Sequence, residues 1–203
     1  MKVSDLGFAF GVTAFMATVA FGVVQSLQLV GILEFPADEI LIYGTSLCIT
    51  VPFVLEMVAL HHLTEPDRRF WTHAALVFTI LYAVFVIANY AVQLGTVIPA
   101  KMRGSAEALA VLDQTPHSMF WIFDAVGYIS MGVAALLVVP TVAKVGFERL
   151  VRWSLIAHAV VTPLIAVVYF YPTFSTRLLL LGLPWAITAP LFMLMLAVML
   201  RRR

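Results

Sequence analysis

Charged residues are scarce in this chain, and their scarcity excludes an ordinary soluble domain. Only 11% of the 203 residues are charged and 63% are hydrophobic. A soluble domain is usually about a quarter charged and about half apolar. A chain of this composition has too little polar surface to face water on all sides, so we expect its solvent to be membrane lipid.

Cysteine is nearly absent and the net charge is small, which removes further classes of function. Cys48 is the single cysteine, so it forms neither an intramolecular disulfide nor a thiolate metal site. A formal net charge of +1 gives no electrostatic footprint for nucleic acid. A haem would require two facing histidines at one depth, and the one pair to consider is His73 with His158. His73, however, lies on the side of span 3 opposite to most of its polar residues. We therefore expect no nucleic-acid partner, no metal and no cofactor.

Six long apolar runs fill most of the chain. A transmembrane helix needs about 20 mostly apolar residues, and the runs cover approximately residues 6–33, 40–62, 70–98, 118–140, 151–170 and 178–200. The breaks between them, such as EFPADE and YPTFSTR, contain proline and charge and suit short loops between antiparallel helices. The sequence predicts an all-α fold in which residues 1–203 form a single domain, a polytopic bundle of six transmembrane helices.

The distribution of Lys and Arg predicts the orientation of this bundle. Nine of the twelve basic residues fall at the termini, in the loop between spans 2 and 3, and in the loop between spans 4 and 5. Basic loops stay in the cytoplasm, so we expect both termini to be cytoplasmic, as an even number of spans requires. The first apolar run is longer than the core of a cleaved signal peptide. These features indicate a multi-pass protein of the bacterial cytoplasmic (inner) membrane.

Polar side chains within the spans are candidate functional residues, because they are costly to place in lipid. At 100° per residue, one sector of about 120° on span 3 contains six polar side chains, namely Thr72, Thr79, Tyr82, Asn89, Gln93 and Thr96. The rest of that span is almost entirely apolar. We expect this stripe to face the interior of the bundle.

Depth in the membrane sorts the candidate residues into two layers, because a helix rises about 1.5 Å per residue. Glu56 and His158 each lie six or seven residues from the cytoplasmic end of their predicted spans, so we expect them to form an inner pair. Tyr82 is expected to bridge the two layers. The outer half is predicted to hold a cluster of Asp124, Gln25, Asn89, Gln93 and Tyr128. All eight are candidates for ligand binding or a proton relay, and the alternative for each is a structural hydrogen bond between helices.

Several stretches resemble a bacterial family of six-helix membrane proteins of unknown function. The segment HSMFWIFDAVGYISMGVAALLVVP (117–140) resembles one span of that family, and GFERLVRWSLIAHAV (146–160) resembles another part of it. Residues 68–94 and 178–203 are similar to it as well. The resemblance implies six spans and transfers no catalytic residue.

Three functions remain open at this point. The leading hypothesis is small-molecule binding or transport through a polar-lined cavity between spans 1, 3 and 4, with Asp124 and Asn89 contacting the ligand. A transporter of six spans is small, so transport would require a homodimer. A second hypothesis is an isomerase-like intramembrane enzyme in which Glu56, Asp124 and His158 converge as acid and base. The third is an accessory membrane subunit without its own ligand, and the sequence does not decide whether the protein is an enzyme.

Overall fold

Six long helices cross the full thickness of the bundle. The structure, a computed structural model, describes residues 2–203, with the backbone alone described at Ala106. The helices are α1 (Val3–Leu29), α2 (Ala37–Leu63), α3 (Arg69–Val92), α4 (Met119–Val138), α5 (Gly146–Phe170) and α6 (Leu183–Arg201). All six are long and apolar enough to span a membrane, and residues 2–203 contain no strand. The predicted all-α bundle of six spans is confirmed, and the chain is a multi-pass membrane protein.

Short irregular helices extend two of the spans toward the loops. After α3 the chain makes a π-helical turn over Gln93–Val97 and a further α-helical turn over Ile98–Met102. The long loop that follows contains a 3₁₀ helix, Ala106–Leu112. A short helix, Thr176–Leu179, and a 3₁₀ turn, Leu180–Gly182, precede α6. A π-helical turn adds one residue to a helical turn, and this addition changes which side chains face inward beyond it.

Helix α5 begins at Gly146, five residues before the predicted start of span 5 at 151. Residues 146–150 lie before the predicted span, yet they form the first turn of the helix. Glu148 accepts a hydrogen bond from the backbone N–H of Ala143 at 2.8 Å, and Arg152 donates to the backbone carbonyls of Val139 and Val142. An acidic side chain in the first turn also interacts favourably with the helix dipole. Each residue of α5 therefore lies further from the helix end than the sequence indicated.

The six helices form a closed ring. Each helix packs against its neighbours in the chain, and α6 closes the ring by packing against α1. The core lies where large side chains from α2, α3 and α6 meet at the centre. The ring of Phe53 lies 5.9 Å from that of Tyr82 and 5.7 Å from that of Phe192, and all three side chains are fully buried.

The two chain termini lie at the same end of the bundle, which we call the terminal face. Asp5 in α1 forms an ion pair with Arg201 in α6, and Glu148 pairs with Arg203 at 3.3 Å. The other end, the opposite face, carries the loops of residues 30–36, 103–118 and 171–182. There Lys101 pairs with Glu39 at 3.1 Å and with Asp113 at 3.0 Å. These ion pairs fasten the long loop to α2.

Candidate functional site

The polar stripe of α3 faces the interior as predicted, except at its end. Five of its six side chains are 0% exposed, namely Thr72, Thr79, Tyr82, Asn89 and Gln93. Thr96 is exposed instead. The π-helical turn over Gln93–Val97 contains one more residue than an α-helical turn, which shifts the inward-facing position by one residue. Val97, at 1% exposure, therefore faces inward in place of Thr96.

A buried carboxylate with several hydrogen-bond donors lies in the half of the bundle near the opposite face. Asp124 in α4 is 3% exposed. Its Oδ1 accepts a hydrogen bond from the hydroxyl of Tyr90 at 2.6 Å and a long one from the Asn89 amide at 3.5 Å. Its Oδ2 accepts from the hydroxyl of Tyr169 in α5, and the hydroxyls of Tyr90 and Tyr128 are 3.2 Å apart. We call these five residues the Asp124 cluster, and it joins α3, α4 and α5.

The Asp124 cluster contains three of the residues that depth grouped together, and two that sequence reasoning missed. Asp124, Asn89 and Tyr128 were expected there, whereas Tyr90 and Tyr169 were not. A signal for Tyr90 was present, because it directly follows Asn89 in the outer half of span 3. Tyr43 stacks on Tyr90 with a centroid distance of 5.0 Å.

Asn89 and Gln93 hold the long loop against the bundle. The Asn89 side chain donates to the side-chain oxygen of Gln114 at 3.0 Å. The Gln93 side chain donates to the carbonyl of Leu112 at 2.8 Å and accepts from the backbone N–H of Gln114 at 3.3 Å. Both amides therefore bind the loop, which lies over the Asp124 cluster.

A cavity of about 150 Å³ lies between α1, α4, α5 and the start of α6. Four aromatic rings line it, those of Phe21, Tyr128, Tyr169 and Trp185, together with Gln25 and several aliphatic residues. The expected cavity between spans 1, 3 and 4 is not the one observed, because no residue of α3 lines it.

The polar groups on the cavity wall differ in how well they are satisfied. Within residues 2–203, the indole Nε1 of Trp185 is buried and has no hydrogen-bond partner. Gln25 donates to Gln28 at 2.9 Å, and Gln28 donates to Asp38 at 2.9 Å. Gln25 therefore belongs to a separate chain of hydrogen bonds, and its predicted place in the cluster with Asp124 is wrong. Tyr128 and Tyr169 each belong both to the cavity wall and to the Asp124 cluster.

The predicted pair of Glu56 and His158 does not form. The His158 Nδ1 lies 3.2 Å from the hydroxyl of Thr188, and its ring lies 4.6 Å from that of Phe192. Both oxygens of Glu56 are without a hydrogen-bond partner in the part of the chain that the structure describes. Two features explain the error, because α2 and α5 are not neighbours in the ring, and His158 lies twelve residues from its helix end whereas Glu56 lies seven from the end of α2. The helix rise then places His158 about 8 Å deeper.

The structure also separates the groups that an acid–base site would require. Asp124 lies among tyrosines, His158 beside Phe192, and Glu56 beside Gly11, so the three groups do not converge. The Tyr82 ring packs between those of Phe53 and Tyr128, but its hydroxyl has no hydrogen-bond partner among residues 2–203. Tyr82 therefore connects the core to the Asp124 cluster by packing rather than by a relay of hydrogen bonds.

Histidines at the terminal face form a separate group. The His61 ring lies 5.7 Å from that of His73, and its Nδ1 lies 3.0 Å from the hydroxyl of Thr72. His73 thus contacts His61 and does not face His158. Over the described residues, no three His, Cys, Asp or Glu side chains are placed to hold a metal ion.

No model of a protein family, no characterised protein and no solved structure matches this chain. The resemblance to a six-helix bacterial family gains no support from these comparisons and supplies no residue role. The functional argument therefore depends on the cavity and the side chains around it.

Proposed function

We propose that the protein binds a small, largely apolar molecule in the cavity between α1, α4, α5 and α6. The proposal is carried by the position of Trp185 on the cavity wall together with its buried Nε1–H, which has no hydrogen-bond partner among the described residues. A buried donor without an acceptor costs about 1–3 kcal/mol. A ligand that supplies an acceptor removes this cost. Ligand sites commonly combine apolar walls with a few such polar groups.

The chemistry of the wall indicates the class of ligand. The Trp185 ring meets the rings of Phe21 and Tyr128 edge to face, at 5.6 Å and 5.0 Å. Apart from these rings, Tyr169 and Gln25, the lining is aliphatic or glycine. We expect a flat or aliphatic molecule whose carbonyl or ether oxygen accepts a hydrogen bond from Trp185, for example a ketone or a quinone.

In this proposal, Asp124 positions the cavity wall and does not contact the ligand. It accepts a hydrogen bond from the hydroxyl of Tyr169, and Tyr128 reaches it through Tyr90. These bonds fix the orientation of two of the four aromatic rings. Glu56 and His158 have no part in the site, because neither lines the cavity.

We place the cavity in the outer half of the bacterial cytoplasmic membrane, with the terminal face in the cytoplasm. Nine of the twelve Lys and Arg residues lie at or near that face, and positive charge favours the cytoplasmic side. One chain builds the whole cavity, so binding does not require the homodimer that transport would need.

The test compares a variant that removes one N–H group with one that changes a distant tryptophan. Native mass spectrometry would be run on wild-type, Trp185→Phe and Trp153→Phe proteins extracted in a mild detergent. Trp153 is 60% exposed in α5 and serves as the control. We expect a co-purifying mass on the wild type and on Trp153→Phe that is reduced about tenfold on Trp185→Phe, since 1.4 kcal/mol corresponds to a factor of ten.

A panel of ketones and quinones provides a second readout through thermal stabilisation. A ligand of the proposed class should raise the Tm of the wild type and of Trp153→Phe more than that of Trp185→Phe. If no co-purifying mass is found and no compound raises the Tm, the proposal fails and an accessory subunit without a ligand is favoured. Equal binding by Trp185→Phe and wild type would contradict the assigned role of the indole.

A further inference from the structure

Glu56 is a buried acid at the junction of three helices. Its side chain is 0% exposed, and neither carboxyl oxygen has a hydrogen-bond partner within residues 2–203. It faces Gly11 of α1, where an added Cβ would collide with its Oε1 and would lie 2.6 Å from the Cβ of Ala197 in α6. Helix α1 therefore lies against α2 and α6 with no space between them at this level.

No charged side chain faces Glu56 from any of these helices. From α1 it meets Gly11, and α6 presents Ala197 at the same level. The nearest charges on those two helices are Asp5 and Arg201, which lie at the terminal face and pair with each other. Its charge is therefore not balanced by a neighbour.

An unpaired ionised carboxylate is too costly to bury in such surroundings, so the group is accommodated as the neutral acid. The neutral acid still forgoes a hydrogen bond from its O–H, which is also unfavourable. Both penalties are relieved if the helices separate enough to admit water.

We propose that Glu56 is a proton-binding site whose occupancy is linked to the junction of α1, α2 and α6. The proton is held on the carboxyl group while the junction is closed. When the junction opens, the O–H bond breaks, the proton passes to an entering water molecule and the carboxylate stays hydrated. Closing the junction reverses both changes. This inference does not depend on the proposed ligand.

Helix α1 is the element best suited to move. In its most apolar stretch 22% of the residues are buried, compared with 44% for α2 and 50% for the span that contains α6. Its contacts at the junction involve small residues, since Gly7 approaches Ala59 as Gly11 approaches Glu56. Fewer side chains of α1 than of either neighbour are therefore held in the interior of the bundle.

Infrared spectroscopy of the full-length protein in lipid nanodiscs tests the protonation directly. The C=O stretch of a protonated carboxyl group is distinct from the bands of a carboxylate. We expect the difference between wild-type and Glu56→Gln spectra at neutral pH to contain one carboxylic-acid band. The same band should be present in Asp124→Asn. If wild type and Glu56→Gln differ only in a carboxylate band, Glu56 is ionised and the proposal is wrong.

A comparison of two glycines in α1 tests the link to the junction. Gly11→Ala forces α1 away from Glu56, whereas an added Cβ at Gly22 meets nothing within 4 Å. We expect the Glu56 acid band at neutral pH to be smaller in Gly11→Ala and unchanged in Gly22→Ala. Equal bands in both variants would overturn the link.

Labelling of the wild type keeps the proposal testable if Gly11→Ala does not fold. Dicyclohexylcarbodiimide is an apolar reagent that adds to protonated carboxyl groups, and peptide mass spectrometry locates the adduct. We expect an adduct on Glu56 at neutral pH whose yield decreases as the pH is raised and the carboxyl group loses its proton. Absence of the adduct would overturn the proposal. Protection by sodium ions at constant pH would also overturn it, because the site would then bind a metal cation.

Discussion

Asp124 and Glu56 are both buried carboxyl groups in transmembrane helices, and their surroundings are opposite. Asp124 accepts hydrogen bonds from two tyrosine hydroxyls, one in α3 and one in α5. Glu56 faces a glycine and an alanine and has no partner in the described part of the chain. The helices that meet at each level determine this difference, because α3 and α5 present hydroxyl groups whereas α1 and α6 present small apolar residues.

The comparison separates two reasons for keeping an acid in a membrane. A buried polar group whose hydrogen bonds are made avoids the cost of an unsatisfied one, so Asp124 can contribute to the stability of the bundle. An unpartnered polar group lowers stability, and replacing it with an apolar residue of similar shape is often neutral or favourable. Glu56 is therefore expected to reduce stability, and its presence is better explained by a function.

The largest expected effect comes from removing each carboxyl group in turn. Asp124→Leu leaves the hydroxyls of Tyr90 and Tyr169 buried without their acceptor, and we expect a loss of about 3–5 kcal/mol in the free energy of unfolding. Glu56→Met removes no hydrogen bond and keeps a similar volume, so we expect no loss or a small gain. Thermal and denaturant unfolding in the same detergent would measure both.

The conservative variant Asp124→Asn serves as the matched control. It keeps one side-chain acceptor and should lose less stability than Asp124→Leu. If Glu56→Met destabilises the protein as much as Asp124→Leu does, Glu56 has a partner in the native membrane, and the contrast between the two carboxyl groups disappears.

The next effect concerns the close contact that excludes water from Glu56. Gly11→Ala places a methyl group against Glu56 and Ala197, and overpacking of this kind usually costs about 1–3 kcal/mol. Gly22 in the same helix has open space around it, so Gly22→Ala creates no clash. Because alanine lowers the conformational entropy of the unfolded chain, we expect this variant to be neutral or slightly stabilising. Unfolding experiments on both variants would check this difference. Equal stabilities would mean that α1 can shift at Gly11 to make room for the methyl group with no loss in the free energy of unfolding.

The fold was predictable because length and composition determine transmembrane helices. The ends of the helices were harder to predict, since charged segments such as FERLVR can be either loop or helix at a membrane boundary. At α5 the side chains of Glu148 and Arg152 decide the matter through hydrogen bonds to the preceding loop. A hydropathy pattern does not predict such bonds, because it gives no information on which side chains meet in the folded protein.

The site was predictable in part, because depth groups residues but does not say which helices are neighbours. Depth correctly brought Asn89, Asp124 and Tyr128 together. It misplaced Gln25, since the closed ring sets α1 beside α2 and α6. Thr96 was misplaced for another reason, because a π-helical turn changes the helical angle in a way that a constant 100° per residue cannot anticipate.

The smallest expected effect is the contribution of one hydroxyl group, that of Tyr169, to the stability that the hydrogen bonds of Asp124 provide. Tyr169→Phe removes the donor to Oδ2 and leaves the ring that packs against Trp121 at a centroid distance of 4.6 Å. We expect a loss of about 1–2 kcal/mol in the free energy of unfolding. Tyr171→Phe is the matched control, because Tyr171 is 52% exposed, two residues further along, and its hydroxyl should contribute almost nothing. If the two variants are equally stable, the Tyr169 hydroxyl does not stabilise Asp124, and the tyrosine in α3 must account for most of the difference between the two carboxyl groups.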